Sequence, residues 1–327
     1  MGKIIGIGNA LVDVLVRMPD DSLLAELALP RGSMQLVDEE RAERIAQAMQ
    51  PFGPKMSTGG CADNTMLALA RLHASPGFIG CVGRDDLGAF FRNNCLEVGI
   101  DAHLVDDDKH TGVAYTLISP DGERTFGTCL GAAAQLSVSD ICPEMFRGYS
   151  LLHIEGYLVQ NHELIETVAR MAKAEGLKLS IDLASANVIE ANQAFFHHLV
   201  EEYIDIVFAN EEESRAFTST DDPSEALRQL ASMCEVAIVK LGGKGSMAQR
   251  GEKKACVEAR RVSVADTTAA GDFFAGGFLY AYDRGASLEQ SLRCGAALSE
   301  QVIQVVGTRL SDTTWTELNS EIQAILK

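Results

Sequence analysis

Positive charge is scarce in this 327-residue sequence: 28 Lys and Arg stand against 46 Asp and Glu, a formal net charge of −18. A chain so acidic offers no broad field for polyanions, which argues against nucleic acid or an anionic membrane as a partner. Nucleotide phosphates could still bind, but only through a local cation, backbone amides or Mg²⁺. The eight cysteines contain no Cys-x-x-Cys pair and no metal-ligand spacing. With no signal peptide to read, they are expected as reduced, mostly buried thiols of a cytoplasmic protein. No apolar run approaches the length of a membrane span. Seven histidines include no His-x-x-x-His pair and are read as structural or surface residues. No Gly-x-Ser-x-Gly elbow occurs, which weighs against a hydrolase of that type.

Two glycine signatures are also incomplete. Gly6-x-Gly8 follows a buried apolar run, but position 11 is Leu, so the dinucleotide fingerprint is rejected. Val239-Lys240-Leu-Gly242-Gly243-Lys244-Gly245-Ser246 lacks the spacing of a Walker A loop and no long apolar helix follows it. A flexible glycine turn touching a nucleotide stays open there.

What is present is an ordinary apolar fraction, 46%, arranged in short runs that alternate strand-like and helix-like. Lys3–Gly8, Phe78–Val82, Leu151–Glu155, Lys178–Asp182, Asp205–Ala209 and Glu235–Leu241 read as buried strands. Helices are expected over 162–175, 195–202, 211–217 and 224–233. The alternation argues an α/β protein: a mostly parallel sheet with helices on both faces and ligands at the strands' carboxyl ends. Thr111–Ser119 and Glu123–Leu130, joined by Pro120-Asp121-Gly122, read as a hairpin. With Leu11–Met18 they suggest a small β lid outside the main sheet, its strands within roughly 11–37 and 104–130. Nothing splits the chain, so one domain over 1–327 is expected.

The stretch Arg261-Val-Ser-Val-Ala-Asp266-Thr-Thr-Ala-Ala-Gly271-Asp272 organises the rest. It reads as a short β-branched strand, a turn of small residues and an apolar helix. The bare first N–H groups of that helix suit an anion, and Asp272 either caps the helix or serves as a base beside the anion. Gly59-Gly60 turns into a helix that presents Asn64 in its first turn. This is either a plain turn or a close backbone approach to a ligand. Asn210-Glu-Glu-Glu213 opens a helix after a strand; the glutamates either complement the dipole or hold metal-bound waters.

Together these pieces resemble the ribokinase-like (PfkB) carbohydrate and nucleoside kinases. The matches are Gly59-Gly60…Asn64, Gly80-x-Val-Gly83-x-Asp85-x-x-Gly88, Asn210-x-x-Glu213, Lys240–Ser246 and Asp266–Asp272 with Gly276-Gly277, all in the family's order. Gly8-Asn9-Ala-Leu-Val-Asp13, Glu123-Arg124-Thr125, Leu130–Ala134 and Glu155–Leu158 resemble the adenosine-kinase-like branch. The resemblance implies a ribokinase-like fold and transfer of the ATP γ-phosphate to a primary hydroxyl of a nucleoside or sugar. It implies Asp272 as base, amides of Ala269, Ala270 and Gly271 as anion hole, and Arg124 reaching the phosphate from the lid. Asn9, Asp13, Gly59, Gly60 and Asn64 are then substrate-binding. Asn210, Lys240, Gly242, Gly243, Gly245 and Thr267 are ATP-binding, and Asn210 and Glu213 hold Mg²⁺ through water. A monovalent cation such as K⁺ is left open, as is monomer against homodimer. Ala269 departs from the family's usual Gly, and Cys61 and the 182–187 loop leave the acceptor open. A fructokinase- or ribokinase-type sugar kinase is the alternative within enzymes; a catalytically silent nucleoside or sugar sensor is the alternative outside them.

Overall fold

The computed structural model describes residues 2–327. The strands, in chain order, are β1 (Ile4–Ile7), β2 (Leu11–Arg17), β3 (Met34–Leu36), β4 (Lys55–Gly59), β5 (Gly77–Gly83), β6 (Asp101–Asp107) and β7 (Gly112–Ile118). They continue as β8 (Arg124–Cys129), β9 (Leu151–Glu155), β10 (Lys178–Asp182), β11 (Ile206–Asn210), β12 (Val236–Lys240), β13 (Ser246–Arg250) and β14 (Lys253–Val257).

Nine strands form a large sheet in the order β14-β13-β12-β11-β10-β9-β1-β5-β6. It is parallel from β12 to β6, while β13 and β14 add an antiparallel edge. The parallel strands are apolar on both faces because helices cover both. One layer packs the helices Cys61–Arg71, Ala270–Asp283, Leu288–Val302 and Asp312–Ile325 around Phe208, Phe273, Phe278 and Trp315. The other packs helices His162–Ala174, Gln193–Glu202, Glu211–Thr218 and Pro223–Met233 around Ile154, Ile181, Phe196 and Phe217. From β1 the chain moves to β5 and β6 on one side, then returns to β9 and proceeds to β12 on the other. The switch point therefore lies between β1 and β9, where open α/β sheets leave a crevice.

The second sheet has five strands in the order β3-β8-β7-β2-β4. One face carries Val12, Val14, Leu117 and their neighbours against helices Ser22–Glu26 and Glu39–Met49. The other turns back toward the switch point. Only Gly8-Asn9-Ala10 separates β1 from β2, so the two sheets are tied at the crevice itself.

Three expectations are corrected. Residues 261–264 form no strand; Val264 is exposed, and the chain there bonds through Ala265 and Asp266 N–H to the single carbonyl of Ile303. A β-branched tripeptide without a ladder partner stays irregular. Residues 104–107, expected in the small sheet, pair with β5 in the large one, and the small sheet takes β4 in addition. The eight cysteines are free, but Cys81, Cys95 and Cys294 alone are buried and Cys256 is exposed. No helix among the described residues is long and apolar enough to cross a membrane.

Candidate active site

At the switch point the Asn9 amide, just beyond β1, donates to Glu155 Oε1 at the end of β9, 2.5 Å away. Glu155 is buried and also accepts from the Ala62 N–H at 3.2 Å. Burial pushes its pKa up. This bond ties the first turn of helix 61–71 to the sheet. Gly60, which opens that helix, has φ 98°, and a Cβ there would lie 2.1 Å from the Asn9 carbonyl, so only glycine fits.

Above this floor lies a cavity of 670 Å³ between the sheets. Asn9, Asp13, Gly60, Asn64, Arg124, Ala269 and Asp272 all line it. Gly59 does not, and instead makes room for Asp13, whose Oδ1 would lie 2.3 Å from a Cβ. The far walls are apolar and come from both layers: Leu11, Met34, Leu36 and Phe126 from the small sheet, Leu136 and Leu158 from the large domain.

Asp272 does not cap its helix. The N-cap position is Ala269, with φ 58° and no side-chain cap. Asp272 Oδ2 accepts instead from Asn64 Nδ2 at 2.9 Å, and Thr65 Oγ1 donates to the Asp272 carbonyl at 3.1 Å. Asn64 Oδ1 is buried with no partner among the described residues, an acceptor left for a ligand hydroxyl. Burial raises the Asp272 pKa to about 7; Asp182 and Glu155 add to the rise, while the Asn64 bond and Lys240 oppose it. Asp13 is pushed to about 8, first by burial and then by Asp272.

Of the amides expected to form an anion hole, that of Ala270 has a partner. Ala270 N–H donates to the Thr267 carbonyl at 3.3 Å, whereas the N–H groups of Ala269, Gly271 and Asp272 have no acceptor among the described residues. They are the orphan donors of a helix start. Arg124, on β8, crosses from the small sheet to this loop. It pairs with buried Asp266 at 2.5 Å and donates to the Thr267 and Thr268 hydroxyls. Asp266 also accepts from the N–H of Thr268 and of Gly307, at 2.7 and 2.8 Å.

The remaining expected residues, apart from Thr267 in the loop before helix 270–283, lie beyond this cavity at the ends of β11 and β12. Asn210 and Glu213 form a reciprocal cap: Asn210 Oδ1 accepts from Glu213 N–H, and both Glu213 oxygens accept from Asn210. Burial, then Asp182, raises the Glu213 pKa to about 7. No group of three or more His, Cys, Asp or Glu among the described residues could hold a metal directly. Asp182, Glu213 and Asp272 crowd negative charge here, which Lys240 offsets in part, so these residues suit a cation held through water rather than by direct ligands. Gly242, Gly243 and Gly245 form the turn from β12 into antiparallel β13. Lys240 leaves that turn and reaches Asp182 Oδ2 at 2.6 Å. Thr267 is exposed and holds Arg124.

Glu155, Thr268 and Phe126 join the site without having been assigned a role from the sequence. Glu155 carried a signal, a carboxylate closing an apolar strand; the other two carried none.

A carboxylate beside open helix-start amides, under a cavity closed by an arginine-bearing sheet, defines a phosphotransferase-type site. The chain belongs to the pfkB family carbohydrate kinases, whose profile matches residues 33–315. It is thus a phosphotransferase acting on a hydroxyl group, a sugar or nucleoside kinase with a ribokinase-like fold. It is similar to a probable sugar kinase protein from Rhizobium etli CFN 42, with 32% identity and TM-score 0.89 over 100% of this chain and 99% of that one. It is likewise similar to the adenosine kinase from Sinorhizobium meliloti, with 32% identity and TM-score 0.88 over 98% and 99%. A ribokinase from Haemophilus influenzae is 28% identical over 80% of this chain and 85% of its own length.

Proposed function

We propose that this kinase transfers the γ-phosphate of ATP to the 5′-hydroxyl of a ribonucleoside, in the cytoplasm. The observation that carries the choice of acceptor is the cavity. Its polar end, Asp13, Asn64 and Asp272, suits ribose hydroxyls, and its apolar walls suit a base. A free pentose, hydroxylated all round, would leave Leu36, Phe126, Leu136 and Leu158 unmatched. The adenosine kinase likeness supports the same reading.

In this account Asp13 and Asn64 Oδ1 hold the ribose, and Asn64 Nδ2 aims Asp272 at the 5′-hydroxyl. Asp272 takes the proton as that oxygen attacks the γ-phosphorus, the bond to the β-phosphate oxygen breaks, and ADP leaves. The N–H groups of Ala269, Gly271 and Asp272 receive the charge of the transferring group. Arg124 exchanges part of its hold on Asp266 for the phosphate and so brings the small sheet over the site, which excludes water. Mg²⁺, when bound through water at Asn210 and Glu213, supplies charge neutralisation on the nucleotide. A silent sensor would have no use for Asp272 and Arg124 in this arrangement.

The test is ³¹P NMR of the product formed from ATP–Mg²⁺ with adenosine, other nucleosides, ribose and fructose. A nucleoside 5′-phosphate is expected. Phosphorylation of a free sugar alone would keep the kinase and discard the nucleoside.

A further inference from the structure

Lys240 is expected as an ATP ligand, and its ammonium is held by a carboxylate of the neighbouring sheet region. It lies 2.6 Å from Asp182 Oδ2, and both side chains are 15% exposed. Asp182 is itself fixed, because its Oδ1 accepts from the Ala184 N–H at 3.2 Å. The ammonium then occupies the space beside Gly271, 3.0 Å from where a Cβ would be. A side chain at Gly271 would crowd this ammonium. A fixed cation thus abuts the same helix start that carries the open amides and Asp272.

We propose that Lys240, clamped by Asp182 and seated against Gly271, is a positioning residue that sets the charge of the phosphoryl-transfer site by acting on Asp272. This rests on the reading of Asp272 as the base. Carboxylates face Asp272 from β2 (Asp13), β9 (Glu155) and β10 (Asp182). Helix 61–71 adds the Asn64 amide and the Cys61 thiol, which burial keeps protonated. The Arg124 guanidinium is committed to Asp266. Lys240 is the ammonium in this set, and Asp272 is held lower by it and higher by Asp182. Without the lysine the base would face three carboxylates and would spend more of its time protonated.

The experiment is ¹³C-carboxyl NMR of aspartate-labelled full-length protein, with the Asp272 signal assigned by its loss in Asp272→Asn. Lys240→Met is expected to raise the Asp272 midpoint by about one pH unit. In the same variant the acidic limb of kcat moves upward, while the KM for ATP stays within about twofold. Lys240→Arg keeps the wild-type midpoint. Breaking a buried pair destabilises, so the double variant Lys240→Met/Asp182→Asn is made as well; removing both charges returns the midpoint toward wild type. An unmoved midpoint with a KM for ATP raised about tenfold makes Lys240 a nucleotide contact and overturns the proposal. A pH-independent loss of kcat with an unmoved midpoint overturns it in favour of a structural role. If the wild type phosphorylates nothing while the midpoint shifts as expected, the kinase reading fails and the charge-setting role stands.

Discussion

Asn64 and Asp272 lie 208 residues apart and meet through a 2.9 Å hydrogen bond at the start of two different helices. One helix follows the small sheet and the other follows the loop that Arg124 grips, so this bond joins what we propose as the acceptor side of the site to the phosphoryl side. Donation from a neutral amide favours the charged carboxylate. With the Asp272 pKa near 7, a base that must be ionised loses activity as pH falls through that value. We expect kcat to drop about tenfold per pH unit on the acidic side. Asn64→Ala moves this limb to higher pH and lowers kcat at neutral pH. A rate that is flat from pH 5 to 8 in steady-state assays contradicts this.

The same buried carboxylates bear on stability. Burial raises Asp13, Asp272 and Glu213 from the ordinary carboxylate range of 3.8–4.5 to about 8, 7 and 7 in the folded protein. A raised folded value means that the native state binds more protons between the two. The contribution is fully present below about pH 4 and is lost as pH rises through about 8. Asp13→Asn removes one such charge. It should raise the melting temperature at pH 8 by at least about 2–4 °C, the equivalent of about 1 kcal/mol, and by less at pH 5. Substrate KM should rise, so stability and binding part company.

Ala269 holds φ 58° at the N-cap of helix 270–283. A Cβ in the left-handed region costs about 1 kcal/mol, and glycine relieves it. Ala269→Gly should therefore stabilise the chain by up to about 1 kcal/mol in urea unfolding with kcat kept within about threefold. A loss of stability would show that the small side chain packs usefully enough to outweigh the strain.

Arg124 bridges the two sheets to Asp266 and the two threonine hydroxyls. With Arg124 in its proposed role at the transferring phosphate, removing the guanidinium should cost about 10²–10³ in kcat. Asp266 keeps two backbone N–H donors, so Arg124→Ala should fold. Lys at this position cannot reproduce the fork and should restore little. Wild-type turnover in Arg124→Ala would remove the arginine from the reaction.

Where the sequence is readable, the reason is local. The parallel strands are short apolar runs closed by a polar residue, and β9 to β12 fall within a residue of their expected positions. Pro120-Asp121-Gly122 marks the β7–β8 hairpin because its turn chemistry is contained in three residues. What escaped is non-local. β3, three residues with two exposed apolar side chains, exists only because β8 offers it a ladder. β4 is polar and ends in the glycine turn, so nothing in its pattern separates it from a loop. Residues 261–264 have strand composition and no partner. The motif residues were visible, but the Lys240–Asp182 pair and the diversion of the Ala270 N–H depend on how three strand ends and a loop converge, which no spacing encodes.

The role of Asp272 as base is open to a direct kinetic test. ADP release from ATP–Mg²⁺ should be followed with adenosine as acceptor, comparing the wild type with Asp272→Asn, which keeps the shape and a partner for Asn64. The account predicts turnover by the wild type and a loss of about 10²–10⁴ in kcat for the variant, with its adenosine KM little changed. A variant that turns over at the wild-type rate would contradict it.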